Sequence, residues 1–467
     1  MAETPAASRA EALAEALGGT LEDRFLGASG VRVRGSLEVR QVVLDELAID
    51  GLAGIGPVLI TGCRFGTLRL TDLVVREGVI IEDCDIGSLE VRGGRRSTIS
   101  VLRSGIRRCV LHECGTLVVD STTVTELAAI SDPHSRFEMA RSAAGSMRLS
   151  ADGPTALEDV RFAAVTIRDR LDVVGLDGGR LSLKDVAAAR AQLRNLRFDD
   201  VRLEDLSIER DLGVQALAGR ATVPTVEVSG VIGSASIVVA DPRGAELVIR
   251  NATIRGDLSL GGSGDVSLDE TCAVEGMLRS SQSPRAARVR VAPGANVRSV
   301  QPPTVPVRSP NMARAAASEL LGGAGVTELA ILHDSLQDRP DEQDMAYFAL
   351  RVAEQDASSG LRKATMWLRG QFFGWGVTFA HPIRTFVAAV LATAGVVFAL
   401  NPADSSGLFT RVADAITSSL GLWFNVGTGM PDGLEGPGWA LAAVGCSALG
   451  IALITVLTGV AIRRLTR

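Results

Sequence analysis

The stretch Val58–Leu70 reads VLITGCRFGTLRL, and Val79–Val91 reads VIIEDCDIGSLEV. Laid over one another, Cys63 falls on Cys84, Gly66 on Gly87 and Leu68 on Leu89, an offset of about 21 residues. Each copy alternates apolar and polar residues, the mark of a strand with one buried face. The same phrase, a glycine or polar residue followed by x-Leu-x-Val/Leu, returns at Gly35-SLEV, Gly115-TLVV and Gly145-SMRL. Looser copies stand at Asp169-RLDV, Asp205-LSI and Gly256-DLSL. Spacings of roughly 20 to 34 residues belong to stacked solenoid coils, in which each coil buries its apolar face only against its neighbours. Residues 30–300 are therefore expected to form a parallel β-solenoid. The Ala-rich segment Asp185-VAAARAQLR is the local exception and reads as a helix.

The two leading segments also scan in fives, with an apolar centre and a small residue two before it. In this they resemble degenerate pentapeptide repeats, whereas the later coils depart from that period. Cys63, Cys84, Cys109, Cys114, Cys272 and Cys446 include no CxxC pair, and they read as buried free thiols in a reducing compartment. Polysaccharide-cleaving solenoids need carboxylates beside aromatic platforms. Glu82, Asp83 and Asp85 have no Trp or Tyr near them, so they read as exposed turn acids. His112, His134 and His333 lack the spacing of a triad or a metal site. No catalytic residue, metal or cofactor is assigned, and the chain is not read as an enzyme.

The 467 residues allow two or three domains, and a net charge of -6 argues against nucleic acid as a partner. All four Trp and the single Tyr lie in the last third of the chain, which implies a second solvent there. The N-terminal residues 1–29 carry a short polar helix over residues 5–17 that would cap the solenoid, without the pattern of a signal peptide. Residues 301–310 are Pro-rich linker, and residues 311–358 read as a helical hairpin. Residues 359–384 combine Arg362, Lys363 and Arg369 with Trp367, Phe372 and Phe373, a composition suited to a membrane surface. There His381-Pro382 is expected to turn the chain into the bilayer.

Two apolar spans follow, 385–401 and 438–462. The first is short for a bilayer unless the residues before Arg384 extend it. Basic residues flank the outer ends of both spans: Arg362, Lys363, Arg369 and Arg384 before the first, Arg463, Arg464 and Arg467 after the second. The intervening loop is mostly acidic. This bias places both termini in the cytoplasm of a bacterial cell and the protein in its inner membrane. Between the spans, Asp404-Ser405-Ser406 can cap a helix running to about Trp423, so that residues 407–430 form a re-entrant pore loop. The run Asn425-Val426-Gly427-Thr428-Gly429 follows it. Non-helical backbone at membrane depth is tolerated where it lines a water path, and glycines let carbonyl oxygens turn toward an ion.

Residues 345–467 resemble the two-span potassium-channel pore family. More closely, they resemble the channel module that follows pentapeptide-repeat regions in bacterial membrane proteins. The resemblance rests on Met345-AYFALRVAEQ, Gly374-WGVTFAHPIR, Val426-GTG and Arg463-RLTR. It implies a tetramer around one pore that passes a monovalent cation. The filter candidates are Asn425, Val426, Gly427, Thr428 and Gly429, and Asp432 and Glu435 make an acidic outer mouth. Gly445, Gly450 and Gly459 are candidate bending points in the second span. The family's filter reads Thr-Val-Gly-Tyr-Gly-Asp. Here Asn425, Thr428 and Met430 replace its Thr, Tyr and Asp, so the loop lacks the side chains that make such a filter select potassium. The alternative is a solenoid scaffold that binds a protein partner or its own kind, with the spans serving only as an anchor in membrane lipid.

Overall fold

The structure, a computed structural model, describes residues 5–94, 97–151, 156–217, 225–240, 246–262, 264–280, 288–377, 380–400, 407–424 and 437–465. It divides into two units, Met1–Gln301 with Glu319–Gly323, and Pro302–Ser318 with Ala324–Arg467.

The first unit is a β-solenoid of about eleven turns. One antiparallel hairpin, Thr20–Glu22 on Phe25–Ser29, opens it. From there the strands stack in parallel, each on a segment one coil further along the chain. Leu26 lies on Leu47, Leu47 on Leu68, Leu68 on Leu89, and Leu89 on Cys109. The column continues through Leu127, Met147, Leu171 and Ala191. All of these side chains are buried, so one register position builds a continuous apolar wall. Across the coils, Arg69 reaches Glu46 and Glu90, and Arg103 reaches Asp83. These exposed pairs add little stability each.

The five-residue period persists through residues 181–208 and is departed from after Ile208, where Leu212, Val214 and Ala216 are buried. Leu181, Leu183, Val186, Ala188, Ala191, Leu193, Leu196, Phe198, Val201, Leu203, Leu206 and Ile208 are buried, two per five residues. The expected helix at Asp185 is accordingly a strand, part of Asp177–Leu217. A helix would bury every third or fourth residue, but here positions 186, 188, 191 and 193 point inward. Val186 stacks on Val165 of the coil before, and this stacking overrides the helical propensity of alanine. Chain direction changes at left-handed residues. Asp185, Asn195 and Asp205 have φ of 53°, a conformation that Asp and Asn tolerate better than most.

One corner carries an internal hydrogen-bond column. The Val42 N–H donates to Cys63 Sγ at 3.4 Å, and the Cys84 N–H to Ser104 Oγ at 3.1 Å. The Ser104 N–H donates to Thr122 Oγ1 at 3.4 Å, and the Thr122 N–H to Ser142 Oγ at 3.1 Å. Small polar side chains thus satisfy corner amides that no strand partner reaches. Cys63, Cys84, Cys109, Cys114 and Cys272 are buried free thiols, and Cys446 is partly buried. The contact between Cys84 and Cys63, with burial, pushes the Cys84 thiol up.

The first end of the solenoid is covered. Helix α1 (Pro5–Leu17) buries Ala10, Leu13, Ala14 and Leu17 against the first coils. At the other end, Gly322 has a φ of 74° and lies so close that a Cβ there would stand 2.2 Å from the Val289 carbonyl oxygen.

Among the described residues, seven α-helices follow in chain order: α2 (Pro310–Leu321), α3 (Val326–Ser335), α4 (Pro340–Ala357), α5 (Gly360–Phe373), α6 (Ala380–Leu400), α7 (Leu408–Phe424) and α8 (Pro437–Leu465). Helices α3 and α4 pack on each other, with the His333 and Tyr347 rings 5.7 Å apart and the Arg351 guanidinium 4.8 Å from the Tyr347 ring. The chain does not turn at His381-Pro382. It turns at Gly374–Gly376, where Gly374 and Trp375 have φ of 52° and 56°. Pro382 sits in the first turn of α6, where a missing N–H costs no helical bond. The first span therefore includes the residues before Arg384 and is long enough.

Candidate functional site: the three-helix apolar module

Helices α6 and α8 are each long and apolar enough to cross a membrane, over His381–Leu400 and Ala440–Gly459. Helix α7 has 17 residues, about 25 Å at 1.5 Å per residue, and it packs against both. Its stripe Ala415, Ser419, Trp423 recurs every four residues and so occupies one face, and all three are buried.

Four contacts hold α7 in place. Ser419 Oγ donates to the Val390 carbonyl at 2.8 Å, and Trp423 Nε1 donates to Thr393 Oγ1 at 3.1 Å, both on α6. From α8, Ser447 Oγ donates to the Leu422 carbonyl at 2.8 Å. Gly450 of α8 lies under the Trp423 carbonyl oxygen, which a Cβ would approach to 2.3 Å. Around these bonds, Trp423 packs with Val390 and Leu453, and the Phe386 ring stands edge-on to it at 5.9 Å. Near the other end of α7, Ala415 packs on Val397, and the Arg411 guanidinium lies 4.7 Å from the Phe398 ring.

The opposite surfaces stay uncovered within one chain. Phe409 and Leu420 on α7, Leu391 on α6, and Leu441 and Ile451 on α8 are exposed. A face this apolar needs lipid or other protein against it. Asp414 is the one acidic residue on these three helices, and it is exposed.

Among the proposed bending points, Gly450 is a close-packing position. Gly445 and Gly459 have no heavy atom within 4 Å of a built Cβ. Asn425, Val426, Gly427, Thr428 and Gly429 lie outside the described residues, as do Asp432, Glu435 and the Asp404-Ser405-Ser406 cap. Ser419, Trp423, Thr393 and Ser447 were not singled out from sequence, although the four-residue spacing of Ala415, Ser419 and Trp423 was there to be read. Among the described residues, no group of three or more His, Cys, Asp or Glu is placed to hold a metal ion.

Compared with known proteins, the chain matches no family model, no curated protein and no solved structure.

Proposed function

We propose that the chain is a subunit of an oligomeric bacterial membrane pore for monovalent cations, with a β-solenoid on the cytoplasmic side that regulates it or recruits a partner. One observation carries this reading. Helix α7 is too short for a comfortable span, is bonded to both apolar helices, and runs directly into Asn425-Val426-Gly427-Thr428-Gly429. An anchor made of two helices has no need of a third helix fastened in this way. Read as a re-entrant helix, α7 would deliver the Val426 to Gly429 carbonyls to an axis shared by four chains, where they replace the hydration of a cation. Asp432 and Glu435 would raise the cation concentration at the mouth. The uncovered apolar surfaces of α6, α7 and α8 supply material for contacts between copies and with lipid.

Asn425, Thr428 and Met430 fit a weakly selective cation pore better than a strict potassium filter. The five-residue burial period supports the likeness of the solenoid to pentapeptide repeats. Those same filter substitutions favour the second reading, a solenoid scaffold on a non-conducting anchor. Single-channel recording of reconstituted protein separates the two. The pore reading expects cation currents that Gly427→Ala and Gly429→Ala abolish or alter, and a tetramer in detergent. A parent that passes no ions, or variants that conduct like the parent, would overturn it.

A further inference from the structure

Among the described side chains of helix α5 none is fully buried. Leu361 is 83% exposed, Trp367 50% and Leu368 45%. Leu361 and Leu368, seven residues apart, share one face of the helix. Arg362 and Arg369 each follow one of these leucines, so they run beside that apolar stripe about 100° around the helix. Trp367 lies on the other flank, with Lys363 one turn before it. No Asp or Glu occurs between Asp356 and Asp404, so nothing on this segment offsets the cations.

The C-terminal end of α5 is fastened at its junction with α6. Gly374 and Trp375 take left-handed backbone, and the Val377 N–H bonds back to the Gly374 carbonyl at 3.1 Å. The Trp375 ring closes over Gly370, where a Cβ would come within 2.9 Å of it. Thr385 Oγ1 of α6 donates to the Gln371 carbonyl at 3.0 Å. The bond from Thr385 to Gln371 thus ties the end of a helix with an apolar stripe bordered by cations to a span-length apolar helix.

From this geometry we infer that α5 is a docking surface for the anionic phospholipid headgroups of the leaflet that α6 enters, with Arg362, Lys363 and Arg369 as its phosphate-facing cations and Leu361 and Leu368 in the acyl boundary. The inference rests on the membrane reading of α6 and is independent of conduction. Each basic side chain at an anionic surface contributes about fivefold in lipid preference. Neutralising all three should therefore remove most of the preference without releasing the spans.

The test uses the full chain, extracted from vesicles of equal phosphatidylglycerol and phosphatidylcholine, with retained lipid measured by native mass spectrometry. The parent should retain phosphatidylglycerol in clear excess, and raised salt should erode that excess. R362Q/K363Q/R369Q should lose it, and R362K/R369K should keep it. Equal retention of both lipids by the parent, an excess indifferent to salt, or an excess unchanged in the triple variant each overturns the inference. Alkaline carbonate washing separates the underlying reading. A parent released from vesicles by the wash loses the membrane assignment and the lipid surface together, whereas one that stays embedded without lipid preference loses only the lipid surface.

Discussion

Gly450 of α8 stands against the backbone carbonyl of Trp423 on α7 so closely that a single methyl group would come within 2.3 Å of the oxygen. The contact is backbone to backbone, and no flexible side-chain end is available to yield. Gly450→Ala should therefore push the two helices apart and cost about 1–3 kcal/mol. Gly445→Ala and Gly459→Ala, with nothing within 4 Å, should leave packing unaltered. Thermal unfolding in detergent, followed by tryptophan fluorescence, checks the contrast. Equal behaviour of the three variants would refute close packing at Gly450.

The polar anchors of α7 should be separable from its apolar packing. Ser419→Ala removes the bond to the Val390 carbonyl and should cost about 1 kcal/mol, in line with hydrogen bonds between membrane helices. Trp423→Phe keeps most of the apolar contact and loses the bond to Thr393. Their combined effect, measured by the same unfolding assay, should depart from additivity, because Trp423 packs on Val390, whose carbonyl Ser419 bonds.

In the solenoid corner, Ser104→Ala strips the Cys84 N–H of its acceptor and should cost about 1–3 kcal/mol. Ser104→Cys should be milder, since Cys63 performs the same service for the Val42 N–H. Melting of the β signal by circular dichroism reads both. A harmless alanine would show that the corner amide finds another acceptor.

The cap α1 should protect the first coil from edge pairing. Leu13→Asp, at a position 6% exposed, places a charge under the cap and should detach it. The expected result is concentration-dependent association of the full chain in light scattering, because an uncovered parallel edge is a template for further strands. A variant that stays dispersed with α1 displaced would refute the protective role.

Acid should weaken the solenoid in a defined window. The Arg141 guanidinium, whose Nε donates to Asp120 at 2.9 Å, holds the Asp120 carboxyl below the usual carboxylate range, and Arg103 does the same for Asp83. Because folding lowers these values, the stability they add is present above the unfolded value near 3.8 and is lost as pH falls through the lower folded value. Melting temperature should thus be flat from pH 7 to about pH 5 and fall below about pH 4. Asp120→Asn should flatten that fall.

The sequence by itself determined the solenoid, because each coil repeats one short phrase and the phrase has to bury its apolar face against the next copy. The offset between Cys63 and Cys84 is already the stacking distance along the chain, and the apolar column Leu47, Leu68, Leu89 follows from it. It also determined the two apolar helices, since length and hydropathy are local properties. Tertiary structure decided what local pattern leaves open. Asp185-VAAARAQLR has a helical composition, yet stacking on the coil before it makes it strand. The elbow at Gly374 and Trp375 was masked by the more conspicuous His381-Pro382. The bonds of Ser419, Trp423 and Ser447, and the place of Gly450 beneath a carbonyl, depend on which faces of three helices meet. That choice is made by side-chain fit among segments separated by up to about thirty residues, and no periodicity within one segment encodes it.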